Sequence, residues 1–305
     1  MGSNKWVITR RDFLKASGIA TLGLCFTSGF VRANIRNSSI KCRFGIVTDP
    51  HYANIETRGT RYYRQSIEKM SECVDLMNQE RVDFMIELGD LTNGTPSGST
   101  EHLKKIEEIY SKFNGSRYHV LGNHDLDSLS KNQFQSVVEN TGINRNATYY
   151  SFDRKAIHFI VLDANFTSDG TPYDSGNYHW TDTNIIDEQI DWLTENLEQS
   201  SLPTVIFIHQ LLDSGDDSKS DYYVNNATEV RKVLEKHTQV LTVFQGHQHI
   251  GQHNIINNIH YYTLKAMVEG SGEDNSSYAI VEIFDNRTVS ITGYRKADSL
   301  VISNK

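Results

Sequence analysis

This 305-residue sequence has only four prolines and three cysteines, and it contains no apolar run long enough to cross a bilayer. With so little proline, no Gly/Ser-rich stretch and no internal repeat, nothing in it reads as a linker between domains. One domain spanning residues 34–305 is therefore expected rather than two small ones. Cysteine is too scarce for a disulfide framework or a thiolate metal cage, so Cys42 and Cys73 are expected as two buried thiols. The longest uncharged apolar segment, Gly18 to Phe30, has thirteen residues, against the roughly 20 that a membrane helix needs. Positive charge is also short: 30 Lys and Arg face 38 Asp and Glu, a net charge of −8. Such a chain lacks the basic footprint needed to hold a nucleic-acid polymer or an anionic lipid surface.

The N-terminus reads as an address. Arg10-Arg11-Asp12-Phe13-Leu14-Lys15, the apolar core 18–30 and Val31-Arg32-Ala33 together match a twin-arginine export signal, with cleavage before Asn34. The expected consequences are handling by the twin-arginine export machinery, a periplasmic or secreted mature protein, and no stable membrane span in the mature form. Leu22-Gly23-Leu24-Cys25 is a weaker lipidation box, because Leu24 is bulky for the position before a modified Cys. Removing residues 1–33 takes away five basic residues and one acid, which leaves a net charge of −12.

Along the rest of the chain, short apolar runs alternate with helical stripes. Strands are expected at Cys42–Thr48, Val82–Leu88, Arg117–Leu121, Tyr149–Phe152, Ile157–Leu162, Thr204–Ile208 and Val240–Phe244. Helices are expected over 61–80, 101–113, 186–197 and 226–237, where apolar residues recur at spacings of three and four. The C-terminal part (255–264, 277–283 and 288–294) reads as further strands. The order implies an α/β protein, either with one mixed sheet or with two packed sheets and helices outside. Five of the strands end in polar clusters, and ligands of open α/β sheets sit beyond the carboxyl ends of strands.

Those clusters hold Asp49 and His51, Asp90, Asn123 and His124, His209, and His247 and His249. Hydrolysis of a phosphate ester near neutral pH needs a strong nucleophile and neutralisation of the phosphoryl oxygens. Two cations about 3.5–4 Å apart supply both. Imidazole mixed with carboxylate and amide oxygen favours Mn, Fe, Zn or Co over Mg or Ca alone. Each residue has a plainer reading, since Gly-Asp is a common turn and His-x-His arises by chance. If 247–249 were a strand, its two imidazoles would face the same side. Five clusters at successive strand ends leave the plainer readings little room.

Asp49-x-His51, Gly89-Asp90, Gly122-Asn123-His124-Asp125, His209 and Gly246-His247-x-His249 resemble, in order, the motifs of the calcineurin-like metallophosphoesterases. The resemblance covers about residues 42–265. It implies a four-layer α-β-β-α sandwich of two mixed β-sheets, with a dinuclear metal site at the carboxyl ends of the strands. Asp49, His51 and His249 would hold one divalent ion and Asn123, His209 and His247 the other, with Asp90 bridging. A metal-bridging hydroxide would attack phosphorus in line. His124 would protonate the leaving oxygen or stabilise the transition state, and Asp125 would orient it. The protein serine/threonine phosphatases of the family carry Asp-Arg where Asn93-Gly94 stand here, which disfavours a protein substrate.

Thr57-Arg58-Gly59-Thr60-Arg61-Tyr62-Tyr63-Arg64, Glu87-Leu-Gly-Asp90 and Glu188-Gln-Ile-Asp-Trp-Leu193 are similar to the manganese-dependent ADP-ribose/CDP-alcohol diphosphatases. Arg58, Arg61 and Arg64 would grip a second phosphate and the tyrosines stack on a base. The competing reading is a helix start with a solvated basic face. A small phosphorylated substrate with a phosphodiester or diphosphate is thus placed ahead of a phosphomonoester. A cyclic-nucleotide phosphodiesterase would carry the same five motifs. From other classes, a silent interaction scaffold would be expected to have lost ligands or His124, and a metal store has no use for an acid/base His beside its ions.

Overall fold

The short apolar runs of Phe, Ile and Val are buried at successive positions, as strands with two covered faces require. The computed structural model describes residues 38–95, 98–214 and 221–303. The export signal read in residues 1–33 lies outside them. The strands are β1 (Ile40–Val47), β2 (Phe84–Glu87), β3 (Ser116–His119), β4 (Tyr150–Arg154), β5 (Ile157–Val161), β6 (Thr204–Phe207), β7 (Val240–Gln245), β8 (Gln252–Ile256), β9 (Ile259–Thr263), β10 (Ser277–Phe284), β11 (Val289–Arg295) and β12 (Leu300–Ile302). They form two six-stranded mixed sheets in the orders β12-β11-β10-β1-β2-β3 and β4-β5-β6-β7-β9-β8. Strands β1, β2 and β3 are parallel to one another, as are β5, β6 and β7.

Residues from the inner faces of both sheets form one core. Phe44 lies 4.8 Å from Phe84 within its own sheet and 5.5, 5.7 and 6.1 Å from Phe159, Phe207 and Phe244 of the other. Helices α1 (Ser66–Glu80), α2 (Ser99–Tyr110) and α3 (Lys131–Val137) cover the outer face of the first sheet, through Met70, Val74, Leu103 and Phe134 against Met85 and Ile280. Helices α4 (Asp187–Gln199) and α5 (Ala227–Glu235) cover the second, through Leu193, Leu197, Val230 and Leu234 against Ile160 and Ile206. This is the four-layer sandwich that the resemblance implied. Cys42 and Cys73 are buried free thiols.

Several boundaries differ from the sequence reading for local reasons. Helix α1 starts at Ser66 rather than 61, because Arg58 and Arg61 exchange two backbone hydrogen bonds in a tight turn and Tyr63–Gln65 is a 3₁₀ turn. The apolar run 255–264 divides at the left-handed Asn257 and Asn258 into the hairpin β8–β9. Helix α3, opened by a capping box at Ser130 and Gln133, and the short β12 were not anticipated.

Candidate dinuclear metal site

The candidate ligands sit just beyond the carboxyl ends of β1, β2, β3, β6 and β7, where the ladder continues into the loops. Asp49 N donates to Gly89 O, His51 N to Asp90 O and Gly246 N to His209 O. Four candidate ligands have left-handed backbones: Asp49 (φ 51°), His51 (46°), Asp90 (57°) and His247 (67°). Such conformations cost on the order of 1–3 kcal/mol each for residues other than Gly. Four of the twelve non-glycine residues with such backbones among those described fall in this one cluster. Gly122 permits the packing, because a Cβ there would lie 2.1 Å from Asp90 N.

Two triads result, Asp49–His51–His249 and Asp90–His209–His247, with His51, Asp90 and His124 forming a third group between them. Asp49 Oδ2 accepts from Thr48 Oγ1 (2.6 Å) and His247 N (3.1 Å). Its Oδ1 has no hydrogen-bond partner and lies 3.5 Å from both His51 Nε2 and His249 Nε2. Asp90 Oδ1 accepts from His124 N (2.7 Å), while Oδ2 lies 3.4 Å from His51 Nε2 and 3.2 Å from His209 Nε2. One carboxylate therefore stands between the two groups.

The donor set fits a pair of divalent cations. His209 Nδ1 is 2.8 Å from the Leu88 carbonyl, which only accepts, so this nitrogen carries the hydrogen and Nε2 offers a lone pair. His249 Nδ1 is likewise held by Glu269 Oε1 at 2.6 Å, which turns the Nε2 lone pair inward. Asn123 Oδ1, His209 Nε2 and His247 Nε2 are buried without hydrogen-bond partners. Lone pairs converging in a buried space repel unless a proton or a cation lies among them. Burial lowers His51 to about 4 and, together with His209, lowers His247 to about 3, which keeps both as neutral ligands. Burial alone would also lower His209 and His249. The carboxylate of Asp90 instead drives His209 up to about 10, and the carboxylates of Asp49 and Glu269 drive His249 to about 9. These are the two places where a cation would replace a proton.

His124 sits at the edge, its ring 4.8 Å from that of His51. Its Nδ1 is 2.6 Å from Asp127 Oδ2, leaving Nε2 for a substrate. Burial would lower it, but Asp90 and Asp127 raise it above the usual imidazole value and favour the protonated acid. Asp125 does not orient His124, contrary to expectation: its carboxylate accepts from the backbone amides of Asp90, Thr92 and Gly122, each at 3.0 Å. Asp127 takes that role, and Tyr178, whose single hydroxyl hydrogen is shared between Asp127 Oδ1 (2.9 Å) and Asn123 O, steadies it.

The arginines separate. Arg61 is half-buried, with Nε 3.8 Å from Glu269 Oε1, and its charge is felt by both His124 and His249. Arg64 is exposed and turned to Asn54 (2.7 Å) and Glu56 (2.8 Å), and Arg58 is exposed. Tyr63 is buried against Ala53, Ala266 and Val268, which removes it as a stacking surface. His247 and His249 also follow β7 in a turn rather than lying on a strand, and they join different triads.

Glu269, Asp127 and Tyr178 were missed. Glu269 belongs to a segment that donates from Met267 N to Thr48 O, from Val268 N to Asp49 O and from Gly270 N to Thr60 O. The buried Lys69 ammonium anchors that segment on the carbonyls of Met267 (2.7 Å) and Gly270 (2.8 Å). Glu269→Ala is expected to weaken manganese binding about 10- to 100-fold, as loss of a ligand's outer partner does. Calorimetric titration of the metal-stripped protein measures this, and unaltered affinity would remove Glu269 from the site.

The family profile for calcineurin-like phosphoesterase matches residues 42–251. The chain belongs to this family. It is a metal-dependent phosphoesterase. The manganese-dependent ADP-ribose/CDP-alcohol diphosphatase of Oryza sativa subsp. japonica is 25% identical over 319 residues, covering 90% of this chain and 98% of the relative. The diphosphatase of the same name from Arabidopsis thaliana is 25% identical over 303 residues, covering 86% and 96%. A dimetal phosphatase from Danio rerio shares the fold, with a TM-score of 0.76 at 20% identity, covering 88% of this chain and 100% of that one. The purple acid phosphatase PPD1 of yellow lupin has a TM-score of 0.59 at 15% identity, covering 88% and 54%.

Proposed function

We propose that this phosphoesterase hydrolyses the diphosphate bond of small nucleotide-type molecules, of the ADP-ribose or CDP-alcohol class, with two manganese ions. The observation that carries the dinuclear reading is Asp90 Oδ2, 3.4 and 3.2 Å from imidazole nitrogens of opposite groups. The relatives' printed activities support the substrate class, and Arg61 beside His249 offers a charge for a second phosphate. Two cations in this donor set would lower the pKa of a bound water and neutralise the phosphoryl oxygens. The chain's own part is to hold and move protons: His124 Nε2 delivers one to the leaving oxygen while Asp127 fixes Nδ1.

The test loads the protein with Mn²⁺ and compares ADP-ribose, bis(p-nitrophenyl) phosphate and p-nitrophenyl phosphate. Turnover of ADP-ribose and the diester is expected to exceed that of the monoester. His124→Ala should lower kcat by about 10²- to 10⁴-fold with metal content unchanged. Cleavage of the monoester alone would replace this reading with a phosphomonoesterase.

We also propose export by the twin-arginine route, supported by Arg10-Arg11 and the apolar core that follows. A folded reporter fused behind residues 1–33 should leave the cytoplasm, and its retention there would refute the signal.

A further inference from the structure

Five large apolar side chains are exposed among the described residues, and two of them, Trp180 and Tyr222, meet beside a candidate metal ligand. Their ring centroids are 5.8 and 5.5 Å from that of His247 and 5.7 Å from each other. They come from segments 42 residues apart, one before α4 and one before α5. The two rings are tilted by 53° instead of stacked, so neither covers its face with the other. Trp180 keeps 37% and Tyr222 39% of its surface in solvent. Trp180 also walls a cavity of about 460 Å³ that runs back along Tyr178 and Thr95 to Asn123 and His124. A molecule whose phosphorus lies at the two triads and whose leaving oxygen lies at His124 thus has an aromatic wall within reach.

We propose that Trp180 and Tyr222 form a stacking subsite for the nucleobase of the substrate. This rests on the diphosphatase reading above. Neither ring can neutralise a phosphate. An open aromatic face gains most from another flat π-system, which every base provides irrespective of its hydrogen-bonding edge. The subsite explains how two different nucleotide classes are accommodated: stacking discriminates base from no base and is tolerant of which base. It also moves base recognition from Tyr63, which is buried, to the His247 side of the site, while Arg61 lies on the His249 side. Base and second phosphate are then read by separate segments of the chain.

The sequence contains three tryptophans, at positions 6, 180 and 192. In the full chain carrying Trp6→Phe and Trp192→Phe and loaded with manganese, emission reports on Trp180 alone. AMP should quench it, and ribose 5-phosphate should not. In steady-state kinetics, Trp180→Ala should lose roughly 5- to 150-fold in kcat/KM on ADP-ribose, mainly through KM, as loss of one base–aromatic stack does. The loss on diribosyl diphosphate, which has the same anhydride but no base, should be far smaller. Trp180→Phe should restore most of the difference, and Tyr222→Ala should reproduce it in part. Equal losses on both substrates, or equal quenching by AMP and ribose 5-phosphate, would overturn the subsite and leave the phosphoesterase chemistry standing. Quenching by phosphocholine alone would also overturn it, in favour of a cage for a quaternary ammonium. If neither diphosphate is cleaved but bis(p-nitrophenyl) phosphate is, the diphosphatase reading fails, and quenching by AMP alone would still support the base subsite.

Discussion

Asp90→Asn should strip the protein of at least one divalent ion and lower kcat/KM on bis(p-nitrophenyl) phosphate by about 10³-fold or more. Asn has nearly the same shape and tolerates the left-handed backbone (φ 57°) that Asp90 adopts. The variant therefore removes a charge and little else. Oδ2 is the atom shared between the His51 and His209 groups, at 3.4 and 3.2 Å. An amide at that point offers one neutral oxygen or two hydrogens, and cannot bridge two cations. Each tenfold loss corresponds to about 1.4 kcal/mol, and Lewis-acid stabilisation of a phosphoryl transition state is worth several kcal/mol. Elemental analysis after dialysis, together with kinetics, tests this, and circular dichroism controls for folding. Two bound ions with activity within tenfold of the parent would mean that Asp90 does not bridge.

Asp125→Ala should produce the largest loss of stability, on the order of 3–5 kcal/mol. The buried Asp125 carboxylate is the common acceptor for the amides of Asp90, Thr92 and Gly122. Truncation leaves three donors in a water-poor interior, and each costs about 1–3 kcal/mol unless the backbone shifts or water enters. The upper part of that sum is rarely reached, because single substitutions above about 4–5 kcal/mol are exceptional. Asp125→Asn keeps one acceptor oxygen and should cost less. Urea unfolding of the metal-loaded chain measures both variants. A midpoint shift equivalent to less than about 1 kcal/mol for Asp125→Ala would mean that those amides find other partners.

The candidate ligands were legible in the sequence because each lies within a few residues of an apolar run ending in a turn. What those motifs contain is local. Their neighbours were less legible, for a geometric reason. Residues 124–126 form a 3₁₀ turn, in which i and i+3 lie nearly above one another. Asp127 therefore returns to His124, whereas Asp125 points inward to the backbone. The family resemblance had put the adjacent acid in that role. Glu269 and Trp180 belong to segments without periodicity, and only tertiary pairing brings them to the site. The arginine stretch divides: a two-way backbone turn joins Arg58 and Arg61, Arg61 lies beside Glu269, and Asn54 and Glu56 hold Arg64. Strand order indicated an α/β protein with one sheet or two, and the family resemblance supplied the two-sheet sandwich. The short β12 carries too little pattern to register.

Each triad takes residues from both sheets. Asp49 and His51 follow β1 of the first sheet, and His249 follows β7 of the second. Asp90 follows β2, while His209 and His247 follow β6 and β7. Cations bound here would rivet the two layers together at one rim, where converging lone pairs otherwise repel. Mechanical cohesion and chemistry thus share the same bonds. A substitution that loosens the rim is felt first as a weaker hold on metal, long before the Phe-rich interior between the layers gives way.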